Sequence, residues 1–213
     1  DDVCAIMFEC IQGEGGVNDL TQEFVDEIAK TAKEKDILMV VDEVQTGNGR
    51  TGKYFAYENF GITPDIVSTA KGLAGGLPMG AVLFGEKVAD HVTAGSHGST
   101  FGGNPIAAAG AISIVERIDD DFLAGVKAKS EYLRNEISKI KNVTDISGKG
   151  LMIGISTNKD AGKIANECLE KGLLVLTAHK NKVRLLPALN ISFGEMNEGL
   201  NILKEVIENE TLA

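Results

Sequence analysis

The sequence contains no run of about 18 apolar residues, so it predicts no transmembrane helix. Cysteine and histidine are scarce, with three residues of each type. Cys4, Cys10 and Cys168 and the scattered histidines lack the spacing of metal ligands, so we predict no metal site. An odd number of cysteines suits a reducing cytosol better than a disulfide framework, and the first residues lack the basic segment of a secretion signal. We therefore expect a cytoplasmic protein.

Basic residues are in the minority, because 21 Lys and Arg face 31 Asp and Glu and give a formal net charge of −10. This negative charge argues against nucleic acid or an anionic membrane surface as the main partner. The hydrophobic content of 43% and the charged content of 24% are typical of globular proteins. A chain of 213 residues can form one or two domains with a substantial core.

Two short apolar runs end in charged residues. Residues 37–41 are followed by Asp42, and residues 66–70 are followed by Lys71. Their length, their aliphatic and β-branched content and the glycines beyond them predict buried strands of a mostly parallel sheet. Residues 80–84 predict a further strand that returns antiparallel, so the sheet should be mixed.

Two more elements belong to the same predicted sheet. A helix from Thr21 to about residue 36 carries apolar residues at helical spacing and connects two strands. Residues 3–8 predict a buried, central strand. A central strand so early in the sequence suggests that a larger protein continues before it.

Asp42 and Lys71 are the main candidates for chemistry. Ligands of open α/β sheets bind beyond the carboxyl ends of the strands, where both residues should lie. An amine that can form a Schiff base, beside an acid that can hold a pyridinium nitrogen, is what a pyridoxal phosphate enzyme requires. The alternative is that each residue is a solvated strand end. The glycines directly after Lys71 weigh against that alternative, because they allow the backbone to approach a ligand closely.

The second half of the sequence has a different character. A helix begins near Pro105, and a long charged amphipathic helix covers about residues 120–141. Short strands and two further helices follow, which suggests a separate α+β subdomain. We expect a partial cofactor-binding large domain at 1–104, and a linking helix with a small domain at 105–213.

Five blocks of the sequence resemble the class III aminotransferases, which are pyridoxal phosphate enzymes of fold type I. The blocks keep the family's order and spacing over the whole chain and are residues 9–16, 42–47, 68–81, 95–105 and 183–187. The resemblance implies an α/β fold, with part of a large domain on a mostly parallel mixed sheet and a C-terminal α+β small domain. Family members are about twice as long, so we expect this chain to be a C-terminal portion that is inactive alone.

The resemblance assigns cofactor roles to one group of residues. Lys71 would be the Schiff-base lysine and would move the proton during catalysis, and Asp42 would keep the pyridine nitrogen protonated. Gln45 would bond the phenolic oxygen of the cofactor, Val44 would pack on its ring, and Glu43 would also belong to this site. A surface position for Lys71 and an ordinary core position for Val44 are the alternatives.

Other residues are assigned to the substrate and to a second subunit. Thr100 would reach the cofactor phosphate of the partner subunit and Ser99 would lie near the substrate, which requires a homodimer. A hydroxyl that caps the helix at Pro105 is the alternative for Thr100. Arg184 would bind the substrate carboxylate, and Glu14 would pair with that arginine when no carboxylate is bound. A surface salt bridge is the alternative for this pair.

The blocks are most similar to those of family members that act on N-acetylornithine. The expected reaction moves its terminal amino group to 2-oxoglutarate, in arginine biosynthesis. Ornithine, succinylornithine and 4-aminobutyrate stay open as alternative amino donors. A fragment that keeps the fold without the chemistry is the alternative of a different class.

Overall fold

The structure, a computed structural model, describes residues 2–209 and contains six α-helices and ten strands within them. In chain order these are β1 (Ala5–Phe8), β2 (Ile11–Gln12), β3 (Asn18–Asp19), α1 (Gln22–Lys35), β4 (Leu38–Asp42), β5 (Ile66–Thr69), β6 (Ala81–Phe84), α2 (Glu86–Ala89), α3 (Pro105–Val115), α4 (Asp120–Ile137), β7 (Val143–Ser147), β8 (Ile153–Thr157), α5 (Ala161–Glu170), β9 (Leu176–His179), β10 (Lys182–Leu185) and α6 (Phe193–Glu208). Two 3₁₀ turns lie at Ala56–Phe60 and Lys71–Ala74. No helix in this part of the chain is both long enough and apolar enough to span a bilayer.

The described chain forms two compact units. The first contains residues 2–10, 20–49 and 53–122, and the second contains residues 11–19, 50–52 and 123–209. The domain boundary expected between residues 104 and 105 stays a prediction.

The first unit is built on a four-stranded mixed sheet in the order β1-β4-β5-β6. Strands β1, β4 and β5 run parallel, and β6 pairs antiparallel with β5. The mixed sheet and the antiparallel return over residues 80–84 are thus confirmed. Strand β1 pairs only with β4 among the described residues, and Met7 is 64% exposed. Among the described residues, β1 therefore lies at the edge of the sheet and is partly exposed, in contrast to the buried, central strand expected at residues 3–8.

Helix α1 packs against this sheet. The Oγ1 of Thr21 accepts a hydrogen bond from the backbone N–H of Phe24 at 3.2 Å and begins the helix as its N-cap. Ile28 and Ala32 are buried against Met39 of β4. Asp36 ends the helix in a left-handed conformation with φ 52°. The helix from Thr21 to about residue 36 is confirmed.

The second unit contains an antiparallel sheet in the order β7-β8-β10-β9 and the small hairpin β2-β3. Helix α5 contacts α6, β9 and β10. Ile11 of β2 and Val17, the residue before β3, form a buried cluster with Met152. The α+β character expected for the C-terminal part is confirmed.

Candidate functional site

Asp42 and Lys71 follow the carboxyl ends of two neighbouring parallel strands. Asp42 is the last residue of β4 and lies opposite Ser68 of β5 in the strand register. Lys71 comes two residues after Thr69, at which β5 ends. The topology therefore places an acid and an amine at the same edge of the sheet, as the sequence predicted. This edge is where open α/β sheets bind their ligands.

The carboxylate of Asp42 is half-buried and held on one side only. Its Oδ1 accepts hydrogen bonds from the backbone N–H of Val44 at 2.9 Å and from the hydroxyl of Ser68 at 3.1 Å. Its Oδ2 accepts no hydrogen bond from the residues that the structure describes. Because one oxygen fixes the orientation, the other is available for a donor such as a protonated ring nitrogen.

Lys71 has an unusual backbone conformation. Its φ is +49°, a value that residues other than glycine rarely adopt. It begins the 3₁₀ turn Lys71–Ala74, whose Leu73 and Ala74 are buried against Ala111 of α3. The buried part of the turn anchors it, while Lys71 itself is exposed. Strain of this kind is retained when the surrounding structure enforces it, and it clusters at functional sites.

Glu43, next to Asp42, is completely buried. Its Oε2 accepts a hydrogen bond from the hydroxyl of Thr46 at 2.5 Å, and its Oε1 accepts one from the backbone N–H of Tyr57 at 2.9 Å. Burial raises the pKa of this carboxyl above its ordinary value. Both oxygens are therefore used to shape the segment after β4, and the cofactor role of Glu43 stays a prediction. Val44 and Gln45 are half-buried beside it, and their cofactor roles also stay predictions.

Asn48 is a residue of this edge that the sequence interpretation missed. It is 7% exposed and has φ 55°, and its Nδ2 donates to the Oγ1 of Thr69 and to the carbonyl oxygen of Ala70, both at 3.2 Å. The available signal was an asparagine between two glycines, Gly47 and Gly49, since asparagine tolerates the left-handed conformation better than most residues.

Ser99 and Thr100 lie in the exposed segment before α3. The N-cap of α3 is Asn104, whose Oδ1 accepts hydrogen bonds from the backbone N–H groups of Ile106 at 2.9 Å and Ala107 at 3.2 Å. A capping role for Thr100 is therefore not what the structure shows. The roles of Ser99 and Thr100 toward cofactor and substrate stay predictions.

The second unit holds the predicted carboxylate-binding pair. Arg184 on β10 is 6% exposed, and its Nη1 donates to Glu14 Oε1 at 3.0 Å and to the carbonyl oxygen of Gly13 at 2.9 Å. Its Nε is buried and has no hydrogen-bond partner among the described residues. The Glu14 side chain is 75% exposed while the guanidinium it neutralises is buried, so an incoming carboxylate could take its place on the arginine. The structure thus brings together two residues 170 positions apart, as the resemblance implied.

Solved structures share the fold of this chain. The N-acetylornithine aminotransferase from Stenotrophomonas maltophilia K279a superposes with a TM-score of 0.87 at 38% identity, over 97% of this chain and 56% of that one. The ornithine aminotransferase from Toxoplasma gondii, which has partial occupancy of pyridoxal phosphate at its active site, has a TM-score of 0.85 at 28% identity, over 95% of this chain and 50% of that one. The α/β fold expected from the resemblance is confirmed.

The family model described as aminotransferase class III matches residues 1–207. The chain therefore belongs to the class III aminotransferases, and the family expectation is confirmed. Curated relatives include the acetylornithine aminotransferases of Caldanaerobacter subterraneus subsp. tengcongensis, 46% identical over 97% of this chain and 54% of the relative, and of Haemophilus ducreyi, 44% identical over 97% and 53%. The chain spans about half the length of these relatives.

Proposed function

We propose that the protein acts as a pyridoxal phosphate-dependent aminotransferase that moves the terminal amino group of N-acetylornithine to 2-oxoglutarate. The observation that carries the proposal is the placement of Asp42 and Lys71 after the carboxyl ends of paired parallel strands, with Asp42 Oδ2 open. The relatives' names support the amino donor, since the acetylornithine aminotransferases reach 46% identity.

The residues of the first unit fit the cofactor. When bound, pyridoxal phosphate supplies a ring that accepts the electron pair released at the carbon bearing the amino group. Asp42 would hold the proton on the pyridine nitrogen through its open Oδ2. The Nζ of Lys71 would hold the cofactor and then carry the proton to and from the substrate carbon. Val44 and Gln45 would line the ring and its phenolic oxygen.

The residues of the second unit fit a substrate carboxylate. Arg184 is buried, and its guanidinium is held by Gly13 and Glu14. We infer that 2-oxoglutarate displaces the exposed Glu14 side chain and takes its place on the arginine. An amino donor that reacts through its terminal amine needs no carboxylate at that position, so Glu14 keeps the arginine neutralised meanwhile.

The proposal extends to the assembly of the protein. Ser99 and Thr100 would contribute to the site of a second subunit, which makes the active enzyme a homodimer in the cytoplasm. Because the chain spans about half the length of its relatives, we expect residues 1–213 alone to have little or no activity.

Ornithine is the second candidate donor. The ornithine aminotransferase of Plasmodium falciparum has the same TM-score of 0.87, at 32% identity over 97% of this chain and 57% of that one. Steady-state kinetics with N-acetylornithine, ornithine, succinylornithine and 4-aminobutyrate decide between these donors. The assay uses the complete gene product that contains these 213 residues.

Borohydride treatment followed by peptide mass mapping tests the cofactor assignment. The pyridoxyl mass is expected on Lys71. The Lys71→Arg variant should lose both the label and the activity, while Lys87→Arg, at an exposed lysine of the same unit, should keep both. A label on any other lysine in the unsubstituted protein contradicts the proposal.

A further inference from the structure

Asn48 contacts the two residues that precede Lys71 in the chain. Its amide nitrogen contacts two successive residues, the hydroxyl of Thr69 and the carbonyl oxygen of Ala70, each at 3.2 Å. A carbonyl oxygen can only accept a hydrogen bond, so the contact with Ala70 fixes which end of the amide points there. Asn48 is therefore a donor to the last peptide group before Lys71.

The carbonyl of Ala70 has two functions in this turn. It also accepts the backbone N–H of Leu73 at 3.0 Å, which is the hydrogen bond that opens the 3₁₀ turn Lys71–Ala74. Asn48 and Leu73 thus hold the same oxygen from two sides. Because this oxygen belongs to the peptide bond that joins Ala70 to Lys71, its orientation helps to determine the φ of +49° at Lys71.

Asparagine is suited to this position for two reasons. Its own φ of 55° lies in the left-handed region, which asparagine tolerates, and its amide supplies the donor. The arrangement also has a disadvantage, because Asn48 Oδ1 is buried without a partner among the described residues. An unpaired buried acceptor destabilises a protein, so its presence suggests that the donor on the other side of the amide has a use.

We propose that Asn48 is a positioning residue that sets the conformation of Lys71 and so the direction of its amine. The inference rests on the proposed function, because it gives Asn48 a purpose only if Lys71 holds the cofactor. Asn48 touches neither substrate nor cofactor in this scheme. It acts through the Ala70 carbonyl.

The test compares variants of the complete gene product, prepared without cofactor and then mixed with pyridoxal phosphate. Samples are fixed with borohydride at successive times, and the pyridoxyl mass on the Lys71 peptide is measured. Asn48→Gly keeps the left-handed backbone but removes the amide, and should slow labelling of Lys71 by about tenfold. Asn48→Asp keeps the shape but cannot donate to Ala70, and should behave in the same way.

Asn142→Gly is the matched control. Asn142 has φ 71° and donates from Nδ2 to the carbonyl of Ile207 at 3.2 Å, so it has the same chemistry elsewhere in the chain. Asn142 is exposed, so this variant should lose less stability than the Asn48 variants, and it should label Lys71 at the unsubstituted rate. Hydrogen exchange of the Leu73 amide, measured without cofactor, should accelerate in the Asn48 variants and stay unchanged in Asn142→Gly.

The outcomes separate the two proposals. If the unsubstituted protein is labelled at a lysine other than Lys71, the proposed function fails. If Lys71 is labelled and the Asn48 variants are labelled as fast, the positioning role is wrong even where Leu73 exchange accelerates. If neither Asn48 variant shows a native thermal transition, Asn48 is needed for folding itself and the positioning role is likewise overturned.

Discussion

Glu14 and Arg184 form an ion pair in which one partner is exposed and the other is buried. The Nη1 of Arg184 lies 3.0 Å from Glu14 Oε1, and the side chains are 7% and 75% exposed respectively. An ordinary surface pair has two exposed partners and contributes little. Here the arginine is buried and the glutamate is exposed, which is the asymmetry that a partner displaced by an incoming carboxylate needs.

Glu14→Gln should affect the KM values of the two substrates in different ways. The variant removes the anion that competes for Arg184, so the KM for 2-oxoglutarate should fall by about threefold. The KM for the amino donor should not fall, because Glu14 neutralises the arginine while the donor is bound. Steady-state kinetics with each substrate varied measure both values. Glu205→Gln, which breaks an exposed pair with Lys171, serves as the control and should change neither. Equal changes for both substrates would refute the switch.

Asp42→Asn should nearly abolish activity without unfolding the protein. The amide oxygen can still accept from Val44 and Ser68, so the local structure is kept, but the negative charge that holds the ring proton is lost. We expect kcat/KM to fall by about 10²–10⁴-fold. Ser68→Ala removes only one orienting hydrogen bond and should lower kcat/KM by about tenfold at most. An Asp42→Asn enzyme that is as active as Ser68→Ala would contradict the role of the carboxylate.

The buried carboxyl of Glu43 should make the stability of the protein depend on pH. Burial raises the pKa of its carboxyl above 4.5, so the folded state binds this proton more tightly than the unfolded state does. The contribution of Glu43 is therefore most favourable below the ordinary pKa and declines as pH rises through the raised folded pKa. The free energy of unfolding should be measured in urea from pH 4 upward for Glu43→Gln and for the unsubstituted protein. The difference between the two should shift in favour of Glu43→Gln as the pH rises over that window. Glu34→Gln, at an exposed position, should show no such trend.

The cysteines should differ in reactivity. Burial, with a smaller effect of the Glu43 charge, raises the pKa of Cys10 to about 12, and burial raises that of Cys168 to about 11. Cys4 is exposed. Because the thiolate is the reactive form, iodoacetamide at pH 8 should modify Cys4 more than about 100-fold faster than the other two. Peptide mass mapping measures the rates, and the urea-unfolded chain, in which all three should react, is the control. Equal rates in the folded protein would contradict the burial of Cys10 and Cys168.

Part of the site could be read from the sequence because its signals are local. The apolar runs before Asp42 and Lys71 have the length and composition of buried strands, and the rule for parallel sheets then places both residues at one edge. The pairing of Glu14 with Arg184 has no local signal, since they are far apart in the chain, and only the family resemblance indicated it.

Other features depend on tertiary contacts that no sequence pattern encodes. Glu43 is adjacent to Asp42, yet its carboxylate turns inward to Thr46 and Tyr57. Lys71 has a positive φ next to the Ala70 carbonyl that accepts from Asn48 and Leu73, and a lysine carries no sequence signal for that conformation. The run at 3–8 has the composition of a central strand, but composition does not say how many neighbours a strand has among the residues present.

The segments that make up the second unit limit how the protein could be divided. The chain passes between the units after residues 10, 19, 49, 52 and 122, so neither unit is one continuous stretch. A polypeptide stopped at residue 122 would leave Ile11 and Val17 without Met152, and Arg50 without the carbonyls of Leu151 and Pro187 that it binds. Such a truncated chain should expose apolar surface and leave Arg50 without two of its acceptors, so we expect it not to fold by itself.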